Sequence, residues 1–325
     1  MNVAIIGCGL IGEKRASSIK GLAELEIVGD IDEKRASSIA KKYNCRYTDN
    51  WKKIINDSEI DIVIVATSNN VLAEITTEAI KKNKHVLVEK PGARNLDEIN
   101  EMLAALKNSS SKVKVGFNHR YHPMIQKAKE MIINRKIGEL MYIISLYGHG
   151  GRQGYEKEWR ADKKISGGGE LLDQGVHVLD LGRYFFEEEF KEIFGMPLTC
   201  YWDMEVEDNC FATLKTETDK VLHMHVSWTE WKNRFFFEIY GKLGKIRIEG
   251  LGGSYGQETL TFFDMGSVSR KPDIYSYKAG KDDNSWRLEF KELLSAIKQD
   301  SQPKGNLNDA YEAIKIIKKI YKVDK

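Results

Sequence analysis

Val3-Ala4-Ile5-Ile6-Gly7-Cys8-Gly9-Leu10-Ile11-Gly12 is the stretch that decides the fold. Four apolar residues in a row read as a strand covered on both faces, and a Gly-x-Gly-x-x-Gly turn follows them directly. The residues from Gly12 to Leu22 continue as a helix. In that strand–turn–helix setting Gly7 permits the tight turn and Gly9 lets the backbone approach a pyrophosphate. Gly12 permits close packing of helix on strand. Leu10 and Ile11 lie inside the loop, where backbone N–H groups and the positive end of the helix dipole face an anion. The expectation is a dinucleotide site.

The pattern outward from this stretch agrees. Glu26–Ile31, Asp61–Ala66, His85–Val88 and Lys112–Phe117 read as further short strands rich in β-branched residues. Glu33–Tyr43, Val71–Asn83 and Leu96–Lys107 read as helices between them, the last with Asn95 as its cap and Glu98 three residues on. Alternating strands and helices predict a doubly wound parallel sheet, an α/β domain of Rossmann type over residues 1–120. Asp30, at the end of the second strand, stands where a carboxylate accepts the ribose hydroxyls of NAD and repels a 2′-phosphate. Lys34 and Arg35 behind it suit NADP but also the solvated face of a helix, so NAD is preferred.

After about residue 120 the texture changes. A helix (Pro123–Arg135), a strand (Leu140–Tyr147), a glycine-rich charged segment (Gly148–Gly169) and a helix (Glu170–Phe186) lead into a second region. There Asn209–Thr216, Val221–Thr229, Phe235–Tyr240, Lys245–Glu249 and Thr259–Phe263 read as strands of an antiparallel sheet. Residues 121–325 are expected to form a second α/β domain for substrate binding and oligomerisation. An amphipathic helix closes the chain at Leu307–Tyr321.

Composition narrows the class. The 325 residues suggest two domains, and 42% apolar with 30% charged residues excludes disorder as the main state. Fifty basic against 48 acidic residues leave a net charge of +2, which points to neither nucleic acid nor membrane. No apolar run approaches the ~18 residues of a membrane helix. With no signal peptide read at Met1-Asn2, a cytoplasmic protein is expected. Cys8, Cys45, Cys200 and Cys210 lack metal-type spacing, and the pairs His119/His122 and His223/His225 lack a third ligand, so no metal is expected.

Two segments carry chemistry. His85-Val86-Leu87-Val88-Glu89-Lys90-Pro91 sets Lys90 just past the carboxyl end of a strand, where open parallel sheets bind ligands. Gly167-Gly168-Gly169-Glu170-Leu171-Leu172-Asp173-Gln174-Gly175-Val176-His177 puts a glycine hinge before a helix, with Asp173 and His177 four apart on one face. A carboxylate beside an imidazole is a general acid/base arrangement. In the intervening segment Trp159-Arg160 pairs an aromatic face with a guanidinium, a combination that suits a polyhydroxylated ring or a phosphate.

Together, Gly7–Gly12 with Asp30, Glu89-Lys90-Pro91, the Phe117-Asn118-His119-Arg120-Tyr121 turn and Gly167–Asp180 resemble the glucose–fructose oxidoreductase, inositol dehydrogenase and rhizopine-catabolism (Gfo/Idh/MocA) family. The resemblance runs over essentially the whole chain. It implies a Rossmann domain followed by a large open antiparallel sheet, with the C-terminal helix packed back on the first domain. It also implies catalytic roles for Lys90, Asp173 and His177. Cofactor contacts are implied for Thr67, Asn69, Glu89, Lys90 and Asn118, and substrate contacts for Arg120, Tyr121, Trp159 and Arg160 beside the catalytic three. The family often has proline at Ser68 and histidine at Leu72, and this chain departs from it at both.

The expected function is therefore NAD-dependent hydride transfer at a ring hydroxyl of a sugar, nucleotide sugar or cyclitol, with surface-polysaccharide sugars as the analogous setting. A redox-neutral glycosidase that uses bound NAD transiently and a non-catalytic NAD sensor are the alternatives. Three intact proton-transfer candidates count against the sensor. Near neutral pH His177 is the favoured base, with Asp173 orienting substrate and Lys90 stabilising the alkoxide. Lys90 as base, its pKa lowered by desolvation and the nearby cofactor, is the rival. A homodimer or homotetramer is expected from the open face of the sheet.

Overall fold

The computed structural model describes residues 1–266, 271–280 and 282–322. Its contacts divide the chain into two units. One comprises Met1–Phe117, Lys164–Gly167 and Trp286–Ile314; the other comprises Asn118–Lys163, Gly168–Ser285 and Lys315–Lys325.

The first unit runs β1 (Asn2–Ile6), α1 (Leu10–Ile19), β2 (Glu24–Gly29), α2 (Glu33–Tyr43), β3 (Arg46–Thr48), α3 (Trp51–Asn56), β4 (Ile62–Val65), α4 (Asn69–Lys81), β5 (His85–Val88), α5 (Leu96–Leu106) and β6 (Val113–Val115). All six strands are parallel, in the order β3-β2-β1-β4-β5-β6. Val3–Ile6 and Ile62–Val65 are at most 3% exposed, as expected of strands sandwiched between helices. The order reverses between β1 and β4, which opens a crevice at their carboxyl ends. Gly7 lies there against Ala66: a Cβ on it would come within 2.3 Å of the Ala66 carbonyl oxygen.

β3 and α3 lie where no element is expected; at three and six residues they are too short for periodicity to register. A helix α9 (Ser285–Lys298), counted below in chain order, is a larger omission. Its Phe290 and Leu293 complete the core formed by Val3, Ile5, Ala16 and Val28, and the spacing of Phe290, Leu293, Leu294 and Ile297 is the helical signal for it.

The second unit contains α6 (Pro123–Ile133), β7 (Leu140–Gly148), a π-helical turn (Leu171–Gly175), α8 (Val176–Phe186), β8 (Phe190–Leu198), β9 (Asn209–Thr216), β10 (Val221–Ser227), β11 (Arg234–Gly241), β12 (Gly244–Glu249), β13 (Thr259–Asp264) and β14 (Asp273–Lys278). A short α7 (Lys163–Ser166) belongs mainly to the first unit. The eight strands form one sheet, β14-β13-β12-β11-β7-β10-β9-β8. One pair departs from the expected antiparallel pattern: β10 runs parallel to β7, because the chain crosses over through α8, β8 and β9 before β10 is laid down. One face of the sheet is packed by Ile143, Leu214, Met224, Val226 and Phe237, all fully buried, and by α8.

The last helix, α10 (Leu307–Ile320), is shared between the units. In the first, Ala310 approaches Gly92 and Asn306 bridges Lys114. In the second, Ile320 packs on Gly195 and the Tyr321 hydroxyl donates to Glu207 at 2.7 Å. No helix among the described residues is long and apolar enough to cross a membrane.

Candidate active site

The glycine loop meets each geometric demand of its sequence. Gly7 has φ +100°, and a Cβ on Gly12 would fall 1.9 Å from the Gly7 carbonyl oxygen, so both positions need glycine for reasons internal to the chain. Gly9 differs, because a Cβ there would meet nothing within 4 Å. The protein itself gives no reason for a bare backbone at Gly9, but a closely approaching ligand does. α1 begins at Leu10, two residues earlier than expected, with Gly9 as N-cap and no side chain capping its first N–H groups. These features fit a pyrophosphate, with Leu10 exposed and Ile11 partly buried beside it.

Asp30 is tied into this loop. Its Oδ2 accepts the Cys8 backbone N–H at 2.7 Å and its Oδ1 accepts that of Asp32 at 2.9 Å, which fixes the carboxylate at the strand end. Asp32 caps α2 by accepting from the N–H groups of Lys34 and Arg35, and its side chain pairs with that of Arg35 at 3.2 Å. Burial, followed by Asp30, pushes the Cys8 thiol up to about 12. Thr67 is partly buried and donates to the Ser68 carbonyl; Asn69 is buried and donates to the Ser166 carbonyl at 2.8 Å. Glu89 is committed to a buried network: Arg15 donates to it from Nε at 2.6 Å and from Nη1 to Glu289 at 2.6 Å. Lys90 follows it, partly buried, at the end of β5.

The second unit holds the Asp173–His177 pair, on a helix that is not uniform. Asp173 lies in the π-helical turn and His177 in the first turn of α8. A π turn is wider than an α turn and is frequent at functional sites, so the expected single α-helix over Glu170–Phe186 is corrected here. The glycines before it are not a loose hinge either. Cβ atoms on Gly168 and Gly169 would come within 2.3 Å of the Tyr321 hydroxyl and 2.0 Å of the Glu207 carbonyl oxygen. The Glu207 carboxylate accepts from the N–H groups of Gly169 and Leu171 at 3.1 and 3.0 Å and so anchors the start of the turn.

Around the pair, Arg160 reaches Asp173 with its Nε at 3.4 Å, stacks over Trp159 at 4.5 Å and approaches Glu158 at 3.9 Å. Burial opposes the Arg160 cation, but Asp173, Tyr155 and Glu158 outweigh it and raise its pKa. His177 is 5% exposed and lies flat against His119, ring centroids 3.7 Å apart. His119 sits in the Asn118–Tyr121 turn, and local sequence reasoning attaches no role to it; nothing in a motif links positions 119 and 177. Asn118 is buried, donating to the Ser285 hydroxyl at 3.0 Å. Arg120 forms a buried bidentate pair with Asp180, at 2.7 and 2.6 Å, that ties its turn to α8. Tyr121 is partly buried. No group of three metal-ligating side chains occurs among the described residues.

Two family models match in tandem. Residues 1–117 match an oxidoreductase family with an NAD-binding Rossmann fold, and residues 125–247 match the GFO/IDH/MocA C-terminal domain. Over 194 residues, 58% of this chain, the sequence is 33% identical to a glucose-6-phosphate 3-dehydrogenase of Bacillus subtilis (strain 168). Over 201 residues, also 58%, it is 29% identical to a levoglucosan dehydrogenase of Pseudarthrobacter phenanthrenivorans. The matches span about half of those relatives, 54% and 52% of their lengths. In fold, the chain superposes on a solved levoglucosan dehydrogenase in complex with NADH and levoglucosan at a TM-score of 0.89. That match covers 100% of this chain and 98% of the other at 22% identity. Residues 1–117 and 125–247 thus carry the same signature, and the protein belongs to the Gfo/Idh/MocA oxidoreductase family.

Proposed function

We propose that the protein is an NAD-dependent dehydrogenase that moves a hydride between nicotinamide and a ring hydroxyl of a sugar, nucleotide sugar or cyclitol. The observation that carries this reading is the pairing of a dinucleotide loop, open at Gly9, with Asp173 and His177 on one buried helical segment. Both relatives named above are sugar dehydrogenases, which supports a pyranose-type substrate. When bound, NAD supplies the hydride acceptor. NAD is favoured over NADP because Asp30 sets a fixed negative charge at the end of β2.

The chain's own groups divide the remaining work. His177 takes the hydroxyl proton as the carbinol carbon is oxidised. Asp173, held by Arg160, accepts a hydrogen bond from the substrate and orients it. Lys90 stabilises the developing alkoxide with its positive charge. The aromatic face of Trp159 suits the apolar face of a sugar ring. Four free cysteines suit a reducing compartment, and we place the enzyme in the cytoplasm.

We infer a homodimer or homotetramer from the outer face of the second-unit sheet. Phe194, Met196, Phe211 and Tyr142 are 65%, 58%, 38% and 36% exposed there, an apolar band that another subunit would bury.

The test of the activity is NADH formation with a panel of free and nucleotide-linked sugars and cyclitols. Net NADH with at least one of them is expected, and His177→Ala should lower kcat by roughly 10²–10⁴-fold with NAD binding unchanged. Turnover without net NADH would instead mark a redox-neutral enzyme. A nearly normal kcat in His177→Ala would transfer the role of base to Lys90 or a water.

A further inference from the structure

His119 comes from the short Asn118–Tyr121 turn, yet its imidazole lies almost parallel to that of His177, with planes 10° apart and centroids 3.7 Å apart. Both residues are buried, at 6% and 5% exposure. Rings overlapped so closely fix each other's planes, since neither can swing about its χ2 without losing the contact.

His119 is itself held from both ends. Asn118 Nδ2 donates to the Ser285 hydroxyl, which leaves Asn118 Oδ1 facing His119 Nδ1 at 3.2 Å; that nitrogen carries the proton and donates. His119 Nε2 is then the acceptor, and the Tyr147 hydroxyl at 3.1 Å donates to it. The Tyr255 ring lies against that of Tyr147, centroids 5.0 Å apart, and its hydroxyl accepts from Gln174 Nε2 at 2.6 Å. Gln174 stands beside Asp173 in the π-helical turn.

We propose that His119 is a positioning residue: its ring, locked by Asn118 and Tyr147 in one neutral tautomer, is the platform that sets the plane of the His177 imidazole for proton removal. The proposal rests on the reading of His177 as the base. A ring that merely filled space would need shape alone, whereas here each ring nitrogen has a defined partner. The other titratable groups around the pair are His122, edge-on to His119 at 5.5 Å, Tyr147 and Tyr255, and Glu170, Asp173 and Arg160. A second proton on His119 would displace the Tyr147 donor, so the hydrogen bonds to its two nitrogens hold the ring in its neutral form.

Two measurements test this on the full chain. In the first, ¹⁵N-histidine NMR across neutral pH should show His119 fixed in the Nδ1–H form while His177 titrates. In Tyr147→Phe a second titration, that of His119, should appear. Titration of both rings in the unaltered protein would overturn the lock. This readout needs no turnover, so it decides the proposal even if no sugar is oxidised and the dehydrogenase reading fails. In the second, His119→Ala should lower kcat by roughly 10–100-fold, the scale of a reacting group misplaced by about 1 Å, with KM and NAD affinity within about threefold. His119→Phe, which restores a flat ring without the two nitrogen partners, should recover only part of that loss. A kcat within twofold of the unaltered protein in either His119→Ala or His119→Phe would overturn the locked platform.

Discussion

The heptapeptide Glu-Lys-Arg-Ala-Ser-Ser-Ile occurs twice, at Glu13–Ile19 in α1 and Glu33–Ile39 in α2, and its two arginines have opposite fates. Arg15 is fully buried between Glu89 and Glu289, whereas the Arg35 side chain is 63% exposed and pairs with its neighbour Asp32. Nothing local distinguishes them; the partners 74 and 274 residues away from Arg15 do. Removing one side of a buried ion network leaves the other charges uncompensated, so Arg15→Ala should destabilise by about 3–5 kcal/mol. Arg35→Ala should cost no more than about 0.5 kcal/mol, as exposed pairs do. Urea unfolding of the two variants gives the comparison. Asp30 supports a second prediction at this scale, because its carboxylate braces the Cys8 N–H and, in the proposed reading, would face the ribose. Asp30→Ser should weaken NAD and improve NADP relative to it, read by titrating each cofactor. Wild-type protein that binds NADP at least tenfold tighter would make Lys34 or Arg35 the determinant instead.

Elements were legible where periodicity and capping agreed. His85–Val88, Glu33–Tyr43 and Asn209–Thr216 have the expected limits, and the Asn95 side chain accepts from the N–H groups of Asp97 and Glu98 as its position before Leu96 implies. β8 was not legible, since Gly195 and Pro197 break its pattern and it lies at the sheet edge. β14 is exposed along its whole length and so lacks alternation. The π-helical turn was invisible for another reason: widening a helix by one residue per turn leaves no mark on an apolar pattern that is buried nearly all round. Of the candidate site, the glycine loop could be read because each glycine answers a local demand, while the use of Arg120 on Asp180 depends on a partner 60 residues away. At the exit of α8, burial works to raise the Glu188 carboxyl, but hydrogen bonds from Lys220, Thr218 and Thr216 outweigh it and pull it down to about 2. A carboxyl lowered on folding adds stability above its unfolded value of 4.5, and that stability is lost as pH falls through about 2. Glu188→Gln should therefore lower Tm at neutral pH, with the difference from the unaltered protein fading from about pH 4.5 down to about pH 2. A difference independent of pH would argue for packing rather than charge.

At the scale of the whole molecule, the proposed assembly rests on the outer sheet face. Phe194 and Phe211 sit on adjacent strands there, Met196 directly opposite Phe211. Phe194→Asp should shift sedimentation from an oligomer to a single-chain species and leave the fold intact, as judged by circular dichroism. A wild-type protein that sediments as one chain at micromolar concentration would remove the assembly from the proposal. The sheet's arrangement also bears on how the chain reaches its native state. β7 lies at the centre of the second unit, with Tyr142 opposite Val221 on one side and Tyr240 on the other. Both neighbours are made roughly 80–100 residues after it, which at ~5–20 residues per second of synthesis is a wait of about 4–20 s. Throughout that interval the apolar run Leu140–Tyr147 has neither flanking strand. The centre of the finished sheet is thus the segment of the nascent chain most in need of a chaperone.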